Sequence, residues 1–295
     1  MRSAMRIKRL LVLAVILVGA VLLPLAAEQI PVAPCESNLC KSIDSGRLTD
    51  LRWPDFSDQL SNVQRFYASA EFQFAWTHNG AITDAAYKVI QLFTEADHKG
   101  LNPEDYDASR WEARIRKLQD ATPTTGELAE FDLALTVNAL RYVSHLHFGR
   151  ANPNWFHDAS GLRHEDVDIA GLVHELLLPG ANVRGKIEAI EPPYESYHQT
   201  EKALQKYLEW AHEKPEEPLP VTSKPLDPKS PYPALRQLAT KLRRLGDLPE
   251  SEQVSETIYA DPLVDAVKHF QARHGLDTDG RIGKATFAAL NTPYE

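Results

Sequence analysis

DPLVDAVKHFQARHGLDTDGRIGKATFAALN, residues 261–291, decides the fold of the C-terminal part of this chain. Asp261 has the chemistry of an N-cap, and Pro262 suits a first helical position, where its missing N–H costs nothing. Leu263, Val267 and Phe270 recur on one face with Ala266 beside them, which predicts a helix. Gly275 supplies a left-handed terminator, Asp279-Gly280 signals a turn, and Gly283 permits close backbone approach before a helix burying Phe287 and Leu290. Upstream, Leu235, Leu238, Leu242 and Leu245 fall at i, i+3, i+7 and i+10 and stop at Gly246, the pattern of one more helix. The expected unit is a small three-helix domain over 231–295.

Before it, residues 213–230 carry Pro215, Pro218, Pro220, Pro225 and Pro228 among charges, the composition of a stiff, extended linker. Residues 46–212 read as a helical domain. Its longest periodic run, Glu127 to Phe148, has Leu128, Phe131, Leu135, Leu140, Val143 and Leu146 spread round enough of the surface to predict a buried central helix ended by Gly149. Further helices are expected after Thr83 or Asp84, through Trp111 to Leu118, over 166–178, and from Tyr197 to Trp210, with a turn at Asn79-Gly80. The predicted fold is mainly α, a helical domain followed by a small three-helix one.

Four basic residues, Arg2, Arg6, Lys8 and Arg9, precede an apolar run from Leu10 to Leu23, so residues 1–27 read as a signal peptide or a retained inner-membrane anchor. Residues 28–45 read as a spacer. Without the leader's four basic residues the net charge of −9 becomes −13, and a body so acidic, with no basic stripe, excludes nucleic acid as the expected partner. The only cysteines, Cys35 and Cys40, fit a short disulfide in an oxidising compartment. The expected location is therefore periplasmic or otherwise extracytoplasmic.

The segments AVKHFQARHGL (266–276) and DGRIGKATFAALN (279–291), with the leucine helix before them, resemble the peptidoglycan-binding domain of bacterial cell-wall enzymes. That resemblance implies murein as a partner. It offers Gln271, His274, Asp279, Arg281 and Thr286 as polar binding candidates, although Asp279 and Thr286 also suit a turn and a cap. FYASAEFQFAW (66–76), ADHKGLNPEDYD (96–107) and LTVNALRYVSHLHFGRANP (135–153) resemble the scaffold domain of the large, membrane-anchored murein L,D-transpeptidases, with Phe74 where that family often has proline.

Such transpeptidases attack a peptide carbonyl with an activated cysteine thiolate in an S-H-G-C setting. Neither cysteine here has those flanks, so no catalytic residue is expected. His145, His147, His157, His164 and His174 lack metal-ligand spacing, and Asp277-Thr278-Asp279-Gly280 lacks the glutamate that would complete a calcium loop. Glu165, Asp166 and Asp168 suit a helix N-terminus better than a catalytic pair. No metal or cofactor is expected. The leading reading is an exported peptidoglycan-binding protein with a transpeptidase scaffold domain. A shortened form of an active L,D-transpeptidase and a non-catalytic adaptor for a protein partner are the alternatives, and any catalytic partner is unknown.

Overall fold

The computed structural model describes residues 38–150, 167–214 and 216–294. The leader, Cys35 and the histidines at 157 and 164 lie outside the described residues. No described helix is long and apolar enough to cross a membrane.

The first core is built round α5 (Thr125–Phe148), which buries fifteen of its 24 residues. A helix covered on all sides has no polar face to lose, so its sequence shows apolar positions round the whole circumference. Thr124 and Glu127 start it with a capping box: Thr124 Oγ1 accepts from the Glu127 N–H at 3.2 Å and Glu127 Oε2 from the Thr124 N–H at 2.9 Å. Against it pack α1 (Asn38–Ser45), α2 (Leu60–Ser69), α3 (Asp84–Thr94), α4 (Trp111–Gln119) and α6 (Ile169–Glu175). Thr83 caps α3, and Asp168 caps α6 in the structural role expected of it. Asn79-Gly80, both at positive φ, turns a minimal hairpin of β1 (Thr77–His78) and β2 (Ala81–Ile82).

Inside this core Asp132 is fully buried. Its Oδ1 accepts from the Tyr67 hydroxyl at 2.7 Å and its Oδ2 from the Trp76 backbone N–H at 2.8 Å, while Trp76 Nε1 donates to Thr136 Oγ1 at 2.9 Å. The network ties the aromatic segment 66–76 to the central helix, and burial pushes the Asp132 carboxyl up to about 6.

Two expectations for this domain need correction. Residues 38–45 are not spacer: α1 buries Leu39, Cys40 and Ile43 against α5. The helix expected over 166–178 is shorter, because after Glu175 the chain makes turns through Leu178. A further helix, α7 (Val183–Glu188), packs on α3. α8 (Glu195–His212) follows and buries no residue; Lys99 holds it, with Nζ 2.5 Å from Glu201 Oε1 on α8 and 2.7 Å from Glu191 Oε1 before it.

A second core is formed by α9 (Leu235–Leu245), α10 (Leu263–Arg273) and α11 (Lys284–Leu290) around Leu238, Leu242, Tyr259, Val267, Phe270, Phe287 and Leu290. Each such side chain contributes on the order of 2 kcal/mol by leaving water. Gly246 and Gly275, at φ +81° and +63°, stop the chain in the left-handed region. Asp261 does not cap α10: Pro262 takes the N-cap position with no side-chain bond. The close approach falls at Gly280 rather than Gly283. A Cβ on Gly280 would stand 2.9 Å from Val264 Cγ1, and nothing lies within 4 Å of the corresponding point on Gly283. The proline-rich stretch is also more than linker. Leu219 and Leu226 are buried in this core, and Leu226 bridges to Ile282.

Candidate functional site

The turn between α10 and α11 is assembled on one buried amide. Gln271, 1% exposed, sits on the last turn of α10. Its Nε2 donates towards the Arg281 carbonyl (2.9 Å), Asp279 Oδ1 (3.2 Å) and Thr286 Oγ1 (3.3 Å), and its Oε1 accepts from the Gly280 N–H at 2.9 Å. A glutamine offers two donors and one acceptor oxygen, and here both ends are engaged. Tyr259, also buried, donates from its hydroxyl to the Gly280 carbonyl at 2.8 Å. The loop backbone is thus held from beneath by two side chains, and Asp279 Oδ1 closes it by accepting from the Arg281 N–H at 2.8 Å.

Of the five sequence candidates, Gln271 and Thr286 are buried, so they shape the site from within. Asp279, Arg281 and His274 are exposed. Arg281 pairs through Nε with Asp227, and both side chains are about half exposed. The His274 ring stacks on Phe270, its centroid 3.9 Å away, and its Nδ1 donates to the Phe270 carbonyl at 2.8 Å. Phe270 itself is core. The turn therefore offers the Asp279 carboxylate, the Arg281 guanidinium paired with Asp227 across the surface, and the imidazole of His274. This is hydrogen-bonding chemistry suited to a polar, largely neutral polymer. Asp227 and Tyr259 were not among the sequence candidates. Both come from outside the patterned helices, and no local spacing marks them.

Elsewhere, Cys40 is buried and disulfide-bonded. His145 Nδ1 and the Tyr106 hydroxyl share a hydrogen bond of 2.8 Å, and burial, reinforced by Arg150 and Arg141, pulls the imidazole down to about 4 and so keeps it neutral. Glu191, His198 and Glu201 converge among the described residues, but the Lys99 ammonium is seated between the two carboxylates, where a metal ion would need to be.

Fold and site define a two-part helical protein, a larger helical domain followed by a three-helix module with a glutamine-anchored turn. Family models place each part. Residues 61–204 match the Scaffold domain of the L,D-transpeptidases, and residues 231–290 match the putative peptidoglycan binding domain. No catalytic-domain model matches, and no curated protein matches the chain.

Proposed function

We propose that this protein acts outside the cytoplasm and grips peptidoglycan through the exposed turn of its C-terminal domain, with His274, Asp279 and Arg281 at the contact. The observation that carries this reading is the turn at Asp279–Arg281, held rigid by buried Gln271 and Tyr259 inside a segment that matches a peptidoglycan-binding domain. A pre-ordered loop loses little conformational freedom on binding, so a few polar contacts suffice to give affinity. The leader 1–27 would supply export, and a Cys35–Cys40 disulfide fits that compartment. The scaffold domain would serve L,D-transpeptidase chemistry in cell-wall remodelling, a reading supported by the family it matches.

The test is retention on purified murein sacculi. The parent chain should co-sediment, and a His274→Ala/Arg281→Glu double variant should lose most of that retention while melting close to the parent, because both side chains are exposed. Equal retention of the two proteins would refute the assignment of the contact, and no retention of either would refute the function. In spheroplast fractionation the protein should appear outside the cytoplasmic fraction.

A further inference from the structure

The proline-rich stretch ahead of α9 runs over the C-terminal domain as an ordered strap. Leu219 and Leu226 are buried in the second core, and the Tyr232 hydroxyl donates to the Pro220 carbonyl at 2.9 Å. Leu226 and Ile282 exchange both of their backbone hydrogen bonds, at 3.1 and 3.0 Å. Just beyond, the Lys229 N–H donates to the Tyr259 carbonyl at 2.7 Å, and the Tyr259 N–H donates to the Ser230 carbonyl at 2.9 Å. Asp227 lies between these two attachments. Strap and turn share their supports, since Tyr259 also holds the Gly280 carbonyl and Ile282 directly follows Arg281.

What Asp227 holds is the Arg281 guanidinium. Its Oδ1 accepts from Arg281 Nε. The Arg281 backbone is pinned on both sides, its N–H donating to Asp279 Oδ1 at 2.8 Å and its carbonyl accepting from Gln271 Nε2 at 2.9 Å. With both the backbone and Nε fixed, the plane of the guanidinium is set. Neither Nη group has a partner among the described residues, and the side chain is about half exposed. A guanidinium carries five N–H donors in a rigid fork, so those on the two Nη groups are free for a ligand. The adjoining carboxylate balances the charge, which suits these donors to neutral carbonyl and hydroxyl oxygens.

We propose that Asp227 is a positioning residue for the wall contact, and that the strap it belongs to is a working part of the binding unit although it precedes the matched segment 231–290. The inference rests on the wall-binding reading above and identifies what orients the arginine of that contact. An unpaired arginine must give up rotamer freedom when it binds, a loss of roughly two- to tenfold in affinity for one flexible side chain. Asp227 imposes that order before the ligand arrives.

The experiment measures binding isotherms of the full chain on purified murein sacculi for the parent, Asp227→Ala, Asp227→Glu, Arg281→Ala and the Asp227→Ala/Arg281→Ala double variant. Asp227→Ala should weaken the apparent affinity about two- to tenfold. Arg281→Ala should weaken it at least as much, and the double variant no further than Arg281→Ala alone, because a residue that acts through another contributes nothing once that other is gone. Asp227→Glu keeps the carboxylate one methylene further out and should bind better than Asp227→Ala. All variants should melt within a few degrees of the parent, because both side chains are about half exposed and a surface ion pair adds little stability. Parent-like binding by Asp227→Ala, no advantage of Asp227→Glu over Asp227→Ala, or a double variant weakened by the product of the two single effects would each overturn the proposal. In those cases retention of the parent leaves the wall-binding reading standing. A parent that does not bind sacculi refutes that reading and this inference together.

Discussion

Asp132 is the residue whose chemistry sets a pH dependence for the scaffold domain. Its carboxyl is fully buried, and burial raises it from 3.8 to about 6 despite hydrogen bonds from the Trp76 backbone and the Tyr67 hydroxyl. A carboxyl raised in the folded state favours folding most when protonated in both states, below about pH 4. That contribution fades as pH rises through about 6. A displacement of this size is worth about 3 kcal/mol. The difference in unfolding free energy between the parent and Asp132→Asn should therefore shift by about that amount in favour of the variant between pH 4 and pH 7, measured by urea denaturation at each pH. A difference that stays flat would mean the carboxylate is better solvated than its burial implies. Gln271 makes a related point about what a sequence can disclose. It is one of five polar residues on the eleven-residue α10, and the sequence alone does not show that it is the one turned inward. Only the fold brings the Gly280 N–H and the Arg281 carbonyl within its reach, and this turns a candidate contact into the inner support of the turn.

Among the elements, α8 has the least holding it. It spans 18 residues and buries none of them, so its position depends on polar anchors rather than on an apolar face. The chief anchor is Lys99, whose ammonium lies between Glu191, with a side chain 2% exposed, and Glu201. Burial pushes the Glu191 carboxyl up, and Lys99 pulls against that. Removing the cation leaves a buried carboxylate alone, a change that costs roughly 3–5 kcal/mol in comparable settings. Lys99→Ala should therefore raise amide hydrogen exchange along α8 well before α5 is affected, and uniform exchange across both helices would refute this division. Legibility among the elements followed the same physics. α5, α9, α10 and α11 announce themselves through long apolar periods or through glycines that must take a positive φ. α1 and α7, of 8 and 6 residues, are too short to show a period, and they are helical because α5 and α3 cover them.

Across the whole molecule, the two cores share no residue, and an aromatic clasp at the end of α8 connects them. Arg244 of α9 lies over the Trp210 ring at 4.9 Å and the Tyr294 ring at 5.4 Å, and its guanidinium reaches Glu213 at 2.6 Å and Glu216 at 2.8 Å. Both chain segments flanking the smaller domain thus meet on one side chain, beside a recess of about 110 Å³. Arg244→Ala should let the domains reorient separately, which small-angle scattering would register as a larger radius of gyration with each domain's melting transition kept. Superimposable scattering curves would show that the clasp is dispensable. Close to it, Asn291 and Leu219 exchange a pair of hydrogen bonds, the Leu219 N–H donating to Asn291 Oδ1 at 2.8 Å and Asn291 Nδ2 to the Leu219 carbonyl at 3.0 Å. The strands of chain that enter and leave the three-helix domain are fastened to each other at that point. A pull applied to the two ends of this domain would load that amide pair before it loaded the helices between them.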